Sequence, residues 1–314
     1  MALQYPRLPL LILPYTRNEL PGWGKLFGIF GIGSDSDPKI WKQAPVTWIR
    51  GKWHHYRMKL DLSDWCDRHT YFLGRYYELA TQLVLQSILK PGDRFVDVGA
   101  NHGMISMLGA YLVGKDGRVD SIEPNPGCIE RIQEHIQQNN IAHIHIHECA
   151  LGSVQTFLQL TQLTEHTGYG TLTHIPEKDQ HLITRIIDVP VKKGDDILAD
   201  HDQQPALIKM DVEGFELNAL HGLSETLHNS HCPVMTEVLD NYLKRAGHTR
   251  EQLIDFMTTH GYTGYQIATR RRGLRHRLHL TLLPENPGIP MSSTDVLWLH
   301  NNHWLSDGLR KRFI

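Results

Sequence analysis

Apolar residues recur first at strand spacing and then at helix spacing along most of the chain, and that alternation predicts its elements. Residues 71–89 carry Leu79, Leu83, Leu85, Ile88 and Leu89 at helical intervals and stop at Pro91-Gly92-Asp93, which predicts one helix ended by a turn. Residues 94–98 then predict a strand, 104–113 a helix and 119–122 a second strand, together a βαβ unit. Helix 126–139 and strand 143–148 repeat the pattern. After a break the rhythm resumes with strand 206–212, helix 216–227, strand 234–239 and helix 250–260. Strands separated by helices pair in parallel through right-handed crossovers, so the pattern predicts an α/β fold with a Rossmann-like doubly wound sheet. Two late strands, 262–268 and 295–300, predict an antiparallel C-terminal hairpin with a long exposed loop between them.

Two stretches escape the alternation. Residues 1–70 mix Pro, Gly, Trp and Asp without period and read as an irregular extension with short strands around 48–60. Within it, Gly28, Gly31 and Gly33 resemble a phosphate loop only superficially, because no Gly-Lys-Ser/Thr follows. Residues 153–202 are polar, with one strand expected near 183–191, and read as an insertion over the sheet edge. The expected organisation is therefore an extension over 1–70 and a catalytic domain over 71–314, with its core at 71–268 and a basic loop and last strand at 269–314.

Composition narrows the class. A formal net charge of -2 over 314 residues excludes a globally basic nucleic-acid binder while leaving room for a local basic patch. Cys66, Cys128, Cys149 and Cys232 form no CxxC pair, which argues against zinc and a disulfide framework and fits a reducing cytoplasm. The apolar run 8–13 is far short of the roughly 20 residues a membrane span needs.

The candidate chemistry begins at the first predicted strand end. Asp97, Gly99, Asn101 and Gly103 lie in Asp-Val-Gly-Ala-Asn-His-Gly, an acid followed by a turn whose glycines let backbone approach a ligand. There Asp97 can order the turn and a cofactor amine through charge-assisted bonds. Glu123 follows 26 positions after Asp97, directly after the next strand, where a carboxylate can accept both hydroxyls of a ribose. Dinucleotide enzymes share that carboxylate but carry G-x-G-x-x-G, whereas this turn has Gly99 and Gly103 with Asp97 ahead of them, which favours S-adenosylmethionine. Cys149 and Ala150, at the third strand end, fall where an adenine edge would be read.

These motifs resemble the FkbM family of methyltransferases, which mostly methylate hydroxyl groups of sugars and polyketide-type molecules. The likeness covers roughly residues 71–267. It rests on Tyr71-Phe72-Leu73-Gly74, the Asp97–Gly103 turn, Glu123-Pro124-Asn125-Pro126, Ala150-Leu151-Gly152, and the block from Leu207 to Glu216 containing Asp211-Val212-Glu213-Gly214. It implies S-adenosylmethionine as cofactor, held by Asp97, Gly99, Asn101, Gly103 and Glu123, with Pro124 and Asn125 beside them.

Methyl transfer needs an aligned acceptor and a base for its proton. Asp211 and Glu213, at the C-terminal end of the fourth strand, would face the methyl group, and Glu237 ends the next strand as a ligand or base for a substrate hydroxyl. A salt bridge to Lys209 is the plainer account of each acid. His166, in the polar insertion, is a further candidate base. His143, His145 and His147 alternate along one strand face and stand in a row instead of converging, so no metal site is expected. Arg270, Arg271, Arg272, Arg275 and Arg277 form a basic cluster that suits a solvated face or an anionic acceptor. The expected activity is O-methylation of a sugar, glycan or glycosylated small molecule. An RNA ribose methyltransferase and an inactive cofactor-binding module are the rivals, and nucleic acid is the less favoured partner.

Overall fold

The computed structural model describes residues 6–33, 38–163, 170–273, 275–284, 291 and 294–302. His166 lies outside the described residues, as do the side chains of Arg272 and Arg275.

The N-terminal extension is more helical than its composition suggests. A 3-10 turn (Leu8–Ile12) runs into α1 (Leu13–Arg17), followed by α2 (Trp23–Phe30), α3 (Pro38–Trp41), a hairpin of β1 (Val46–Arg50) with β2 (Arg57–Asp61), and α4 (Trp65–Leu73). Gly28 therefore belongs to a helix and not to a phosphate loop. Phe27, Ile32, Trp41, Phe72 and Leu73 pack into a small core that fixes the arm to α4. The single helix expected over 71–89 is two. Gly74, in the left-handed region at φ 69°, ends α4, and α5 (Leu79–Ile88) starts afresh after Glu78.

From there the predicted βαβ unit forms as β3 (Arg94–Val98), α6 (Met104–Val113) and β4 (Arg118–Ile122), continued by α7 (Pro126–Asn139) and β5 (Ile144–His147). Asn125 caps α7 by accepting from the Gly127 N–H at 3.1 Å, with Pro126 at the first turn. The polar insertion builds a sheet of its own from β6 (Ala150–Leu151), β7 (Thr156–Gln162), β8 (Gly170–Thr171) and β9 (Arg185–Lys192), with a 3-10 turn at Glu177–Leu182. It is followed by α8 (Gly194–Leu198), β10 (Leu207–Met210), α9 (Glu216–His221), α10 (Ser224–Ser230), β11 (Val234–Glu237), α11 (Asp240–Arg245) and α12 (Arg250–Thr259). The helix expected over 216–227 breaks at Gly222, whose ideal Cβ would lie 2.2 Å from the Gly152 carbonyl oxygen.

Three strands close the chain: β12 (Tyr262–Arg272), β13 (Arg275–Leu282) and β14 (Asp295–His300). Here the expectation is corrected. β12 does pair antiparallel with β14, but the supposed basic loop is itself strand, and β12 and β13 form a hairpin with Arg270 opposite Arg277. Cross-strand bonding through residues 265–282 satisfies backbone groups that a free loop would leave to water.

Among the described residues the large sheet has the order β13-β12-β14-β11-β10-β3-β4-β5. β11, β10, β3, β4 and β5 are parallel, and β14, β12 and β13 add antiparallel at the β11 edge. The chain winds outward from β3 to β5, then returns to β10 on the other side of β3. That reversal opens a crevice beyond the C-terminal strand ends, where ligands bind in such sheets. One sheet face packs Val96, Ile208 and Val234 against α9 and α12, and the other packs Phe95, Val119 and Leu207 against α5 and α6. Among the described residues no helix is long and apolar enough to cross a membrane.

Candidate active site

A cavity with about 1350 Å³ of empty space, its open mouth included, sits over that crevice. Gly99, Asn101, Glu123, Pro124, Asn125, Cys149 and Ala150 line one side; Asp211 and Glu213 line the other, with Glu78, Tyr76, Tyr77 and Trp65. The structure thus brings most of the sequence-predicted residues to one place.

The first side is built from backbone. Gly99 takes φ 72°, and a Cβ there would lie 1.9 Å from the Asp211 carbonyl oxygen, so only glycine lets β3 turn this close to β10. Glu123 spans the turn. Its Oε2 accepts from the Asn101 N–H and its Oε1 from the Asn125 N–H, each at 2.8 Å. Burial pushes the Glu123 carboxyl up to about 7, against the lowering effect of those two bonds. Each carboxylate oxygen keeps lone-pair capacity for one further donor.

Asp97 is placed differently from the expectation. It is fully buried under the turn and does not wall the cavity. Its Oδ2 accepts from the Ser106 hydroxyl at 2.6 Å, and its Oδ1 lies 3.5 Å from Lys209 Nζ. Strand alternation directs the Asp97 side chain into the helix layer, where it braces the turn through Ser106 and Lys209. Gly103 likewise closes the turn as the left-handed residue before α6, behind the wall.

Lys209 is the hub. Its Nζ donates to the Gly99 carbonyl at 3.1 Å and stands 3.7 Å from Asp211 Oδ2. Burial opposes its charge, but Asp97, Asp211 and Glu78 outweigh that and raise its pKa. Lys209 thus pairs with both Asp97 and Asp211.

Among the described residues Glu213 has no ion pair of this kind. It sits at φ 54°, a left-handed conformation that a non-glycine residue adopts only when its surroundings impose it. The imposing contacts are visible: Glu216 Oε1 accepts from the Val212 and Gly214 N–H groups at 3.3 and 3.2 Å, and Thr171 Oγ1 donates to the Glu213 carbonyl at 3.1 Å. Gly214, at φ 101°, packs so tightly that a Cβ would lie 2.5 Å from the Tyr242 carbonyl oxygen. Burial, then the neighbouring charges of Asp211 and Glu216, push the Glu213 carboxyl up to about 8.

Glu237 does not wall the cavity but stands behind these acids, directly opposite Asp295 in the β11–β14 register. Burial and then repulsion from Asp211 and Glu213 push it up to about 9, and burial with repulsion from Asp211 pushes Asp295 up to about 6.

Sequence reading missed the contribution of the α4–α5 connection. Glu78, pushed up to about 7 by burial and by Asp211, accepts from Thr81 Oγ1 at 3.1 Å. Next to it Tyr76 and Tyr77 have ring centroids 4.8 Å apart, and Trp65 approaches Tyr77 at 5.2 Å. Their only sequence signal is a cluster of aromatics before a helix, which a core would also show. Among the described residues no group of side chains could hold a metal, and His147 Nε2 instead donates to Asp120 Oδ1 at 2.9 Å. Arg270, Arg271 and Arg277 are absent from the cavity wall.

Comparison with known proteins follows from this geometry. Residues 97–263 match the methyltransferase FkbM domain. Methyltransferase 1 of Beauveria bassiana (strain ARSEF 2860) is 28% identical over 169 residues, covering 48% of this chain and 67% of that protein. Methyltransferase sdnD of Sordaria araneosa is 27% identical over 181 residues, 48% of this chain and 68% of that one. Among solved structures, methyltransferase FkbM from Methylobacillus flagellatus KT aligns with a TM-score of 0.38 at 18% identity, over 74% of this chain and 52% of that chain. This chain thus spans about half the length of that structure. With the domain match extending over more than half of its residues, the chain belongs to the FkbM methyltransferase family and uses S-adenosylmethionine as methyl donor.

Proposed function

We propose that the protein is an O-methyltransferase acting on a hydroxyl of a sugar or glycosylated small molecule, with Glu213 as the base. The observation that carries this reading is one cavity with a satisfied carboxylate, Glu123, on one side and on the other a carboxylate, Glu213, that burial and neighbouring acids push up and that has no ion pair among the described residues.

The residues present fit the cofactor. Gly99 keeps the turn free of side-chain bulk, Glu123 can accept a ribose diol, and Asn101, Asn125, Cys149 and Ala150 complete a nucleoside-sized wall. When bound, the cofactor supplies an electrophilic methyl group on a positively charged sulfur. Asp211 lines the same side of the cavity as Glu213, 3.7 Å from Lys209 Nζ. Glu213 would accept the proton of the acceptor hydroxyl. A carboxyl pushed up to about 8 is matched to a proton transfer near neutrality. Glu237 stands behind this wall opposite Asp295 and acts on the acceptor only through Asp211 and Glu213, whose charge it feels. Trp65, Tyr76 and Tyr77 offer flat apolar surface on which a sugar ring can lie.

The test is mass spectrometry of sugars, glycosides and amine-bearing controls incubated with methyl-labelled S-adenosylmethionine. The expected product is a labelled methyl ether on a sugar. Label found only on nitrogen, carboxylate or RNA ribose would overturn the acceptor assignment.

A further inference from the structure

We infer that Glu19 and Arg75 are positioning residues for the acceptor, together fixing the residues 76–78 that wall its side of the cavity; this rests on the acceptor lying against Trp65, Tyr76 and Tyr77, as proposed above.

Residues 76–78 join α4 to α5 without helix or strand, so no backbone ladder holds them. Side chains do so instead. Arg75 Nη1 donates to the Tyr76 and Tyr77 carbonyls at 2.8 and 3.2 Å, and Gln82 Nε2 donates to the Tyr76 and Glu78 carbonyls at 2.7 and 2.8 Å. Two buried side chains thereby engage all three carbonyl oxygens of the segment. Tyr76, Tyr77 and Glu78 line the cavity from this backbone, so a shift in it moves the surface offered to the acceptor.

The rest of the Arg75 fork belongs to the N-terminal arm. Its Nε and Nη2 donate to the two carboxylate oxygens of Glu19 at 2.9 and 2.8 Å, a bidentate geometry that fixes the guanidinium plane in direction as well as place. Both partners are buried, Glu19 at 8% exposure and Arg75 at 3%. A buried pair of this kind gains little stability over apolar packing of the same volume. What it adds here is aim, because the guanidinium edge left over points at the two tyrosine carbonyls. Glu19 is in turn held by its surroundings, at φ 49° in the left-handed region. Lys52 Nζ pairs with its carboxylate, His276 Nε2 lies 3.6 Å from the same group, and Arg271 Nη2 donates to its carbonyl at 3.0 Å. The Lys52 N–H also donates to the Gly74 carbonyl at 2.7 Å, which ties down the turn before the wall. Glu19, Arg75 and residues 76–78 all precede the residues 97–263 that match the FkbM domain, so this side of the cavity is built apart from Lys209, Asp211 and Glu213.

The test is limited proteolysis with chymotrypsin, which cuts after aromatic residues and reads local opening at Tyr76 and Tyr77. Arg75→Lys keeps the charge pair with Glu19, but a single ammonium cannot serve two carboxylate oxygens and two carbonyls at once. Cleavage at these two sites should rise roughly tenfold while other sites stay at the wild-type rate. Glu19→Gln should open the same two sites; it also strips buried Arg75 of its counter-charge, so Arg75→Lys carries the test where Glu19→Gln does not fold. Affinity for S-adenosylhomocysteine in calorimetry should stay at the wild-type value. In transfer to the sugar found with labelled cofactor, KM should rise about tenfold with kcat within about threefold of wild type. Cleavage that rises equally at every site, or not at all, overturns the proposal. So does a loss of cofactor affinity as large as the rise in KM, which would assign the wall to the cofactor. The cleavage and calorimetric readings need no acceptor, so a labelled product other than a methylated sugar defeats the acceptor assignment and leaves these readings to decide the positioning.

Discussion

The two ends of the parallel sheet hold buried acids in opposite conditions. Near the N-terminal ends of β3 and β4, Asp120 is fully buried and receives Arg94 at 2.7 Å, Arg118 at 2.8 Å and His147 at 2.9 Å. Burial would raise its pKa, but those three partners hold it well below the usual carboxylate range. At the C-terminal ends, Asp211, Glu213, Glu237, Asp295 and Glu78 crowd around Lys209, and burial with mutual repulsion raises four of them. One end spends positive charge to make an acid permanent and structural. The other withholds it and leaves acids whose protons can move. The same residue type thus serves the fold or the chemistry according to the cations supplied to it.

The contrast breaks first at Asp120. Asp120→Asn would leave the buried Arg94 guanidinium without a counter-charge, and a loss of about 3–5 kcal/mol is expected from urea unfolding, with cofactor affinity retained by whatever fraction folds. Glu213→Gln should do the reverse. Single-turnover transfer should fall on the order of a hundredfold, while unfolding free energy near neutrality rises above wild type, since an amide removes the repulsion and the cost of burying a carboxylate.

A pH series of thermal melts sharpens the comparison further. For Glu213 the folded pKa is raised from 4.5 to about 8, so the folded state binds the extra proton. Stability from this group is full below the unfolded value and is lost as pH rises towards 8. For Asp120 the folded pKa is depressed, so its contribution is present above the ordinary carboxylate value and is lost only in acid. The falling limb between about pH 5 and 8 should therefore flatten in Glu213→Gln and persist in Asp120→Asn. The smallest effect is expected at Glu237, where Gln mimics a protonated acid. Transfer by Glu237→Gln should remain within about threefold of wild type; a loss as large as that of Glu213→Gln would make Glu237 the base instead.

Much of the frame was legible because local chemistry and tertiary packing agree there. α6 and α7 fall on the predicted residues, since Gly103 and Asn125-Pro126 punctuate their starts and their apolar faces are buried. The breaks at Gly74 and Gly222 were not legible: an apolar period continues through a glycine whether or not the helix does. Basic residues at 270–277 read as loop because charge masks a strand whose support comes from partners distant in sequence. At the site, strand-end acids stand out by position, so Glu123, Asp211 and Glu213 could be found. Which of them face the cavity depends on side-chain direction, and Asp97 turned inward to Ser106. Glu78, Tyr76 and Tyr77 reach the cavity only through the packing of α4 and α5, for which no short motif exists.

The most direct test of the central claim is a crystal structure with S-adenosylhomocysteine. The account predicts the ribose diol on the Glu123 carboxylate and the sulfur directed across the cavity towards Asp211 and Glu213. A nucleoside seated elsewhere, or one with its sulfur turned away from those two acids, would contradict it.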